Sequence, residues 1–136
     1  MIRYHDQILQ LVRDKDSKTT IIDARSPDRF SGEAPEPRAG LSSGHMPGAK
    51  NVSFKQLFNN STGELHDNTQ LASVFQKAGV DVTKLQNEPV VLSCGSGVTA
   101  SVLYFALERL GLKKLAVYDG SWTEYASLNE GPIVKD

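Results

Sequence analysis

The sequence places its only cysteine, Cys94, between an apolar segment and a glycine-rich one. Residues 89–93 are uncharged and typical of a buried strand, and Gly95, Ser96 and Gly97 follow the cysteine. A strand that turns through such a loop into a helix directs backbone N–H groups and the positive end of the helix dipole toward one sulfur atom. Both stabilise negative charge on that sulfur, so the segment predicts a nucleophilic cysteine.

A buried thiol that only fills space is the alternative interpretation of a lone cysteine. Two glycines within the next three residues argue against it, because glycine packs poorly but lets the backbone curl closely around a bound group. The helix after the loop is predicted to pack through Val102, Phe105 and Ala106, which would hold its amino end in place.

Phosphate chemistry is disfavoured by the same loop. Cysteine-dependent phosphatases grip the phosphate dianion with an arginine six residues after the cysteine, and that position is Ala100 here. Residues 94–100 contain no basic side chain. We therefore expect the substrate to be something other than a phosphate ester.

The composition is that of a folded protein with one domain. The chain has 136 residues, 39% of them hydrophobic and 23% charged, and a formal net charge of −1, which predicts a single domain over residues 1–136. No basic run indicates binding to nucleic acid or to an anionic membrane, and no segment approaches the roughly 20 apolar residues of a membrane span. A single cysteine excludes an internal disulfide and suits a reducing compartment, either cytoplasmic or mitochondrial.

Strands and helices alternate along the chain, which predicts an α/β fold with a mostly parallel central sheet and helices on both faces. Asp67 or Asn68, and later Ser121, are expected to cap the helices that follow them. The predicted strands span residues 19–24, 50–53, 89–93 and 115–118, and the predicted helices span residues 7–13, 68–78, 98–110 and 121–126, with a helical turn at residues 54–58.

Residues 25–48 contain four prolines and four glycines and predict a long ordered loop without regular structure. This loop follows one predicted strand, and Cys94 follows another. Ligands of parallel sheets bind at the carboxyl ends of the strands. We therefore expect the loop and the cysteine to open onto the same edge of the sheet.

Several segments, in order along the chain, resemble the 3-mercaptopyruvate sulfurtransferases of the rhodanese superfamily. The resemblance covers nearly the whole chain and implies a rhodanese-like fold in which Cys94 carries a sulfur atom as a persulfide. The segments are Ile22-Asp23-Ala24-Arg25, Arg29-Phe30-Ser31-Gly32, Glu36-Pro37-Arg38, Ser43-Gly44-His45-Met46-Pro47-Gly48-Ala49, Cys94-Gly95-Ser96-Gly97-Val98-Thr99-Ala100 and Asp119-Gly120-Ser121-Trp122.

The resemblance also implies roles for individual loop residues. Cys94 is the expected nucleophile, and Ser96 is expected to hydrogen-bond the reacting group or relay a proton to the leaving enolate. The remaining loop residues are expected to bind the substrate within the N–H cradle; they are Gly95, Gly97, Val98 and Thr99.

The charge of the loop indicates which sulfur donor it suits. Thiosulfate is a compact dianion that benefits from cations beside the attacking sulfur, whereas mercaptopyruvate carries its carboxylate away from the sulfur that is transferred. Gly95 and Ser96 are neutral, which favours mercaptopyruvate. Arg29 and Arg38 are candidate carboxylate receptors because arginine offers paired donors, and the family's arginines at these positions bind substrate. A structural or solvated arginine is the alternative for each.

The sulfur acceptor must come from outside, because the chain has no second cysteine. We expect a small thiol, cyanide or a thioredoxin-like protein. No metal or other cofactor is expected, since His5, His45 and His66 are far apart in sequence and make no recognisable zinc set with one cysteine. His45 is expected to support its turn rather than to react.

Enzymes of this family usually contain two rhodanese domains, so the resemblance implies a missing N-terminal domain as a partner. The resemblance further implies that residues 1–136 correspond to the C-terminal catalytic domain. Two alternatives to the enzyme stay open: a module that receives persulfide from a partner protein, and a non-catalytic interaction domain. A thiosulfate sulfurtransferase is the alternative for the donor.

Overall fold

The described part of the chain forms a five-stranded sheet in which all paired strands are parallel, in the order β1-β5-β4-β2-β3. The computed structural model describes residues 2–14, 18–37, 40–59, 61–94, 99–118 and 120–135. The strands are β1 (Ile2–Arg3), β2 (Thr20–Asp23), β3 (Lys50–Asn51), β4 (Val90–Ser93) and β5 (Leu115–Tyr118). The helices are α1 (His5–Arg13), α2 (Pro27–Ser31), α3 (Asn68–Lys77), α4 (Ala100–Arg109) and α5 (Ser121–Leu128), with a 3₁₀ helix at Phe54–Leu57.

The central strand β4 fixes the register of the sheet. It pairs with β2 through Ile22 opposite Leu92 and Asp23 opposite Ser93, and with β5 on its other side. All four residues of β4 are buried, so the strand needs cover on both faces. The carboxyl ends of β2 and β4 therefore lie side by side, with Asp23 next to the residue that precedes Cys94.

Two apolar layers cover the sheet, as the alternating elements predicted. On one face Ile22 and Leu92 pack in a cluster with Phe75 of α3 and Leu103 of α4. On the other face a second cluster contains Ile8 of α1 and, from α5, Trp122 and Tyr125. The expected α/β fold with helices on both faces is confirmed. The two aromatic residues of α5 are completely buried and belong to this core.

The loop after β2 contains more regular structure than expected. Residues 27–31 form helix α2, so the prediction of no regular structure is wrong for these five residues. Pro27 stands at the start of the helix, where its fixed φ is favourable and its missing N–H is not needed. Gly32 ends the helix with a φ of 93°, in the left-handed region. A five-residue helix is too short for hydrophobic periodicity to reveal.

The C-terminal segment, which carries no readable signal in the sequence, pairs with the same loop. His45 and Val134 form an antiparallel bridge with N···O distances of 2.8 and 2.9 Å. Gly44 precedes the bridge with a φ of 112°, and a Cβ on it would lie 2.6 Å from the carbonyl oxygen of Val134. The tail thus holds the end of the long loop in place.

Among the described helices, none has the length and apolarity that crossing a lipid bilayer requires.

Two phenylalanines provide a test of the packing. Phe75 is completely buried, whereas Phe105, which the sequence predicted on the packed face of α4, is 54% exposed. We expect Phe75→Ala to lower the free energy of unfolding by about 3–5 kcal/mol, because it removes a large buried side chain and leaves a cavity. Phe105→Ala serves as the matched control and should change it by less than about 1 kcal/mol. Urea denaturation followed by circular dichroism measures both values, and equal losses would contradict this assignment of the core.

Candidate active site

Cys94 directly follows β4 and is 1% exposed. Its N–H donates to Ser121 Oγ at 3.1 Å, and its carbonyl oxygen accepts from the N–H of Trp122 at 2.8 Å. Both backbone polar groups of the cysteine are therefore held by the first turn of α5. The nucleophile predicted from the sequence thus has a rigid backbone, fixed at the carboxyl edge of the sheet.

Ser121 has a different role from the predicted helix cap. Gly120 is the residue before α5 and makes no side-chain cap, while Ser121 is the first residue of the helix and has a φ of 51°. Its hydroxyl donates to the carbonyl oxygen of Tyr118 at 2.8 Å and accepts from the N–H of Cys94. The prediction of Ser121 as a cap is wrong because its hydroxyl bonds to β5 and to the segment after β4, not to its own helix. Such contacts between distant segments leave no local sequence signal.

A cavity of about 410 Å³ opens at this edge of the sheet. The loop after β2 contributes Arg29 and Glu36 to its lining, the 3₁₀ helix contributes Lys55, and Thr99 and Thr123 come from the segments that follow Cys94 and open α5. The prediction that the long loop and the cysteine segment meet at one edge is confirmed. Of the other predicted site residues, Gly95, Ser96, Gly97, Val98 and Arg38 lie outside the described residues.

A buried ion network stands behind this cavity, with Arg25 at its centre. The Arg25 side chain is 1% exposed and donates to both oxygens of Asp23, with Nε at 3.0 Å from each and Nη2 at 2.6 Å from Oδ2. It also donates to the carbonyl oxygen of Gly44 at 2.6 Å and, through Nη1, to Glu36 at 3.3 Å. The guanidinium carbon lies 4.3 Å from the ring centroid of Trp122. Arg25 therefore joins β2, the long loop and α5.

Sequence reasoning assigned no role to Arg25. One signal was present, since an aspartate and an arginine two residues apart follow a buried strand and cannot both be desolvated unless they pair. Asp23 thus orients the arginine at the start of the long loop. Asn51 adds to these contacts, because its Nδ2 donates to the carbonyl oxygens of Asp23 and Arg25 at 3.1 and 2.9 Å.

Arg29 lines the cavity but is already paired with Glu36. Its Nε and Nη2 each donate to one carboxylate oxygen of Glu36 at 2.8 Å. These bonds raise the pKa of Arg29, although burial opposes the shift, and the negative charges of Glu36, Asp23 and Cys94 raise it further. A guanidinium has five N–H groups, of which Glu36 takes two. A substrate carboxylate would have to use the remaining ones.

Among the described residues, no three His, Cys, Asp or Glu side chains are grouped so as to hold a metal ion. His45 donates through Nδ1 to the carbonyl oxygen of Phe30 at 2.8 Å and stacks on the Phe30 ring with centroids 3.8 Å apart. These contacts agree with its expected role in supporting the loop.

The buried network can be tested at Arg25. We expect Arg25→Met to lower the free energy of unfolding by about 3–5 kcal/mol, because Asp23 loses its buried counter-charge and Glu36 loses one of its two. Arg109→Met, on the exposed end of α4, is the control and should cost less than about 1 kcal/mol. Thermal unfolding at neutral pH compares the variants, and a stable Arg25→Met protein would contradict the role of Arg25 as the link between segments.

The hydroxyl that holds Cys94 can be tested separately. Ser121→Ala leaves a buried N–H and a buried carbonyl without this partner, so we expect a loss of about 1–3 kcal/mol in the free energy of unfolding. Ser127→Ala, at an exposed position of the same helix, should be within about 0.5 kcal/mol of the parent protein. Chemical denaturation measures both, and hydrogen exchange at the Cys94 amide should accelerate only in Ser121→Ala.

Comparison with known proteins places this geometry in a family. The family model described as "Rhodanese-like domain" matches residues 5–128. The thiosulfate/3-mercaptopyruvate sulfurtransferase 1 of Arabidopsis thaliana, described as mitochondrial, is 46% identical over 82% of this chain and 28% of its own length. The 3-mercaptopyruvate sulfurtransferase of Escherichia coli K12 is 40% identical over 90% of this chain and 42% of its own length.

A solved structure agrees with the sequence matches. The crystal structure of the Tum1 protein of Saccharomyces cerevisiae superposes with a TM-score of 0.84 at 32% identity, over 98% of this chain and 46% of the yeast chain. The present chain spans less than half the length of these relatives. On the match over residues 5–128 and the shared fold, the chain belongs to the rhodanese-like domain family.

Proposed function

We propose that this chain transfers sulfur from 3-mercaptopyruvate, through a persulfide on Cys94, to an external thiol. The observation that carries the proposal is the position of Cys94, whose backbone is fixed at the carboxyl edge of the sheet. At the same edge, Thr99 from the segment after the cysteine lines one cavity with Arg29. The names of the Arabidopsis and Escherichia coli relatives support it, since both contain 3-mercaptopyruvate sulfurtransferase.

In the first half-reaction the Cys94 thiolate attacks the sulfur of 3-mercaptopyruvate. A sulfur–sulfur bond forms and the carbon–sulfur bond breaks, and its electron pair leaves on carbon as the enolate of pyruvate. Protonation of the enolate gives pyruvate, and Ser96 is the residue we assign to relay that proton. The N–H groups of Gly95, Gly97, Val98 and Thr99 hold the sulfur that remains on the enzyme.

In the second half-reaction the thiolate of the acceptor attacks the outer sulfur of the persulfide. The bond between the two sulfurs of the persulfide breaks, Cys94 leaves as a thiolate and the acceptor carries the transferred sulfur. A small thiol or a thioredoxin-like protein fits this step, because the chain has no other cysteine to act as an internal acceptor.

Arg29 and Arg38 are the proposed receptors of the substrate carboxylate. The pairing of Arg29 with Glu36 supports this role for Arg29, because it holds the guanidinium group rigidly at the wall of the cavity.

We also propose that the chain, over residues 1–136, is the C-terminal catalytic domain of a two-domain protein, with the N-terminal rhodanese domain as its partner. The fraction of the relatives' length that it covers supports this arrangement. A reducing compartment, cytoplasmic or mitochondrial, suits the chemistry.

Intact-protein mass spectrometry after incubation with 3-mercaptopyruvate tests the function. We expect one added sulfur on the parent chain and none on Cys94→Ser, together with release of pyruvate. Arg38→Ala should need more donor for the same loading if it binds the carboxylate. The same measurement with thiosulfate in place of 3-mercaptopyruvate tests the alternative sulfur donor.

Three other outcomes of this experiment would contradict the proposal or favour an alternative function. Loading that persists in Cys94→Ser would contradict the nucleophile. Loading only from a persulfide-bearing protein would favour the carrier module, and no loading from any source would favour an interaction domain.

A further inference from the structure

We propose that Lys55 is a specificity-determining residue of this site, whose ammonium group binds the carboxylate of the sulfur donor together with the proposed receptors Arg29 and Arg38. This inference rests on the proposed function and adds to it a residue that the family motifs do not include. Among the described residues that line the cavity, one cation has no carboxylate partner.

The two described arginines of the cavity are already neutralised. Arg25 is paired with Asp23 at 2.6 Å, and Arg29 is paired with Glu36 at 2.8 Å. Two carboxylates thus balance two guanidinium groups, and three of these four side chains are at least 97% buried. An anionic substrate meets little net positive charge from this network.

Lys55 is the remaining cation in the described lining of the cavity. It makes no ion pair with any part of the chain that the structure describes, and the residue is exposed. The ammonium group of Lys55 offers three hydrogen-bond donors on a flexible stem. It can therefore reach a carboxylate in the cavity while the other residues that line the cavity stay fixed. The uncompensated positive charge of the described site is therefore on Lys55.

The backbone of Lys55 is held firmly beside the site. The N–H of Phe54 donates to the carbonyl oxygen of Ala24 at 3.2 Å, and Ala24 itself lines the cavity. The Gln56 side chain accepts through Oε1 from the N–H of Ser53 at 3.0 Å at the start of the 3₁₀ helix, and Leu57 of this helix is completely buried. These contacts fix the base of the lysine side chain relative to the end of β2.

The structure of 3-mercaptopyruvate indicates how the positive charge of Lys55 would affect binding of this sulfur donor. The carboxylate of 3-mercaptopyruvate lies two carbons from the sulfur, so its binding leaves the attack of Cys94 on sulfur unchanged. Loss of Lys55 should therefore raise the donor concentration needed for half-maximal loading without slowing the maximal rate. A role in folding alone would change neither quantity in a correctly folded variant.

The test compares Lys55→Gln with Lys55→Arg and with the control Lys77→Gln. Lys77 is an exposed lysine at the end of α3 that does not line the cavity. The rate of Cys94 persulfide formation is measured against 3-mercaptopyruvate concentration at low and high salt. We expect Lys55→Gln to raise the half-saturating concentration roughly threefold to fivefold at low salt, and less at high salt. Lys55→Arg and Lys77→Gln should behave like the parent chain. An unchanged half-saturating concentration in Lys55→Gln would overturn the inference.

A second measurement separates this inference from the proposed function. Pyruvate binding, followed by the shifts of backbone amide resonances, requires no sulfur transfer. If the parent chain takes no sulfur from any donor, the proposed function fails, and weaker pyruvate binding by Lys55→Gln still supports the role of Lys55. Equal binding by the two proteins, or no binding by the parent chain, would reject that role.

Discussion

The pairing of Arg25 with Asp23 is the interaction on which the rest of this site depends. Three segments meet at one guanidinium group, which touches the end of β2, the long loop that follows it and the ring of Trp122 in the distant helix α5. A charge buried this deeply is stable only when its counter-charges are present. The loop is consequently held by the Arg25 contacts, and α2 and the C-terminal bridge at His45 add local support.

The nucleophile depends on a second set of contacts at the same edge. The backbone of Cys94 has left the β4 ladder, and Ser121 and Trp122 supply the hydrogen-bond partners that it needs. Trp122 also lies against Arg25, so the segment that holds the cysteine and the network that holds the loop share one residue. A disturbance of either is therefore expected to reach the other.

The pairing of the arginines with carboxylates also affects substrate binding. Carboxylates that fix the arginines also cancel their charge, and Arg29 combines a structural pair with Glu36 and a place in the wall of the cavity. The neutralised network supplies a fixed shape, whereas Lys55, which has no ion pair with the described part of the chain, supplies a net attraction for anions.

The sequence by itself determined the layered α/β architecture, because the run of buried residues at β4 and the periodicity of α1 and α3 are local consequences of burial. It also indicated Cys94, since a glycine-rich turn between a strand and a helix is a local pattern, and it predicted that the long loop would meet the cysteine at one edge of the sheet. Only the tertiary structure decided how Arg25, Ser121 and Glu36 are used. Each of them pairs with a buried charge or backbone group from another segment. Which partner a buried polar atom meets depends on how the helices and loops pack against the sheet, and the neighbouring residues in the sequence do not determine it.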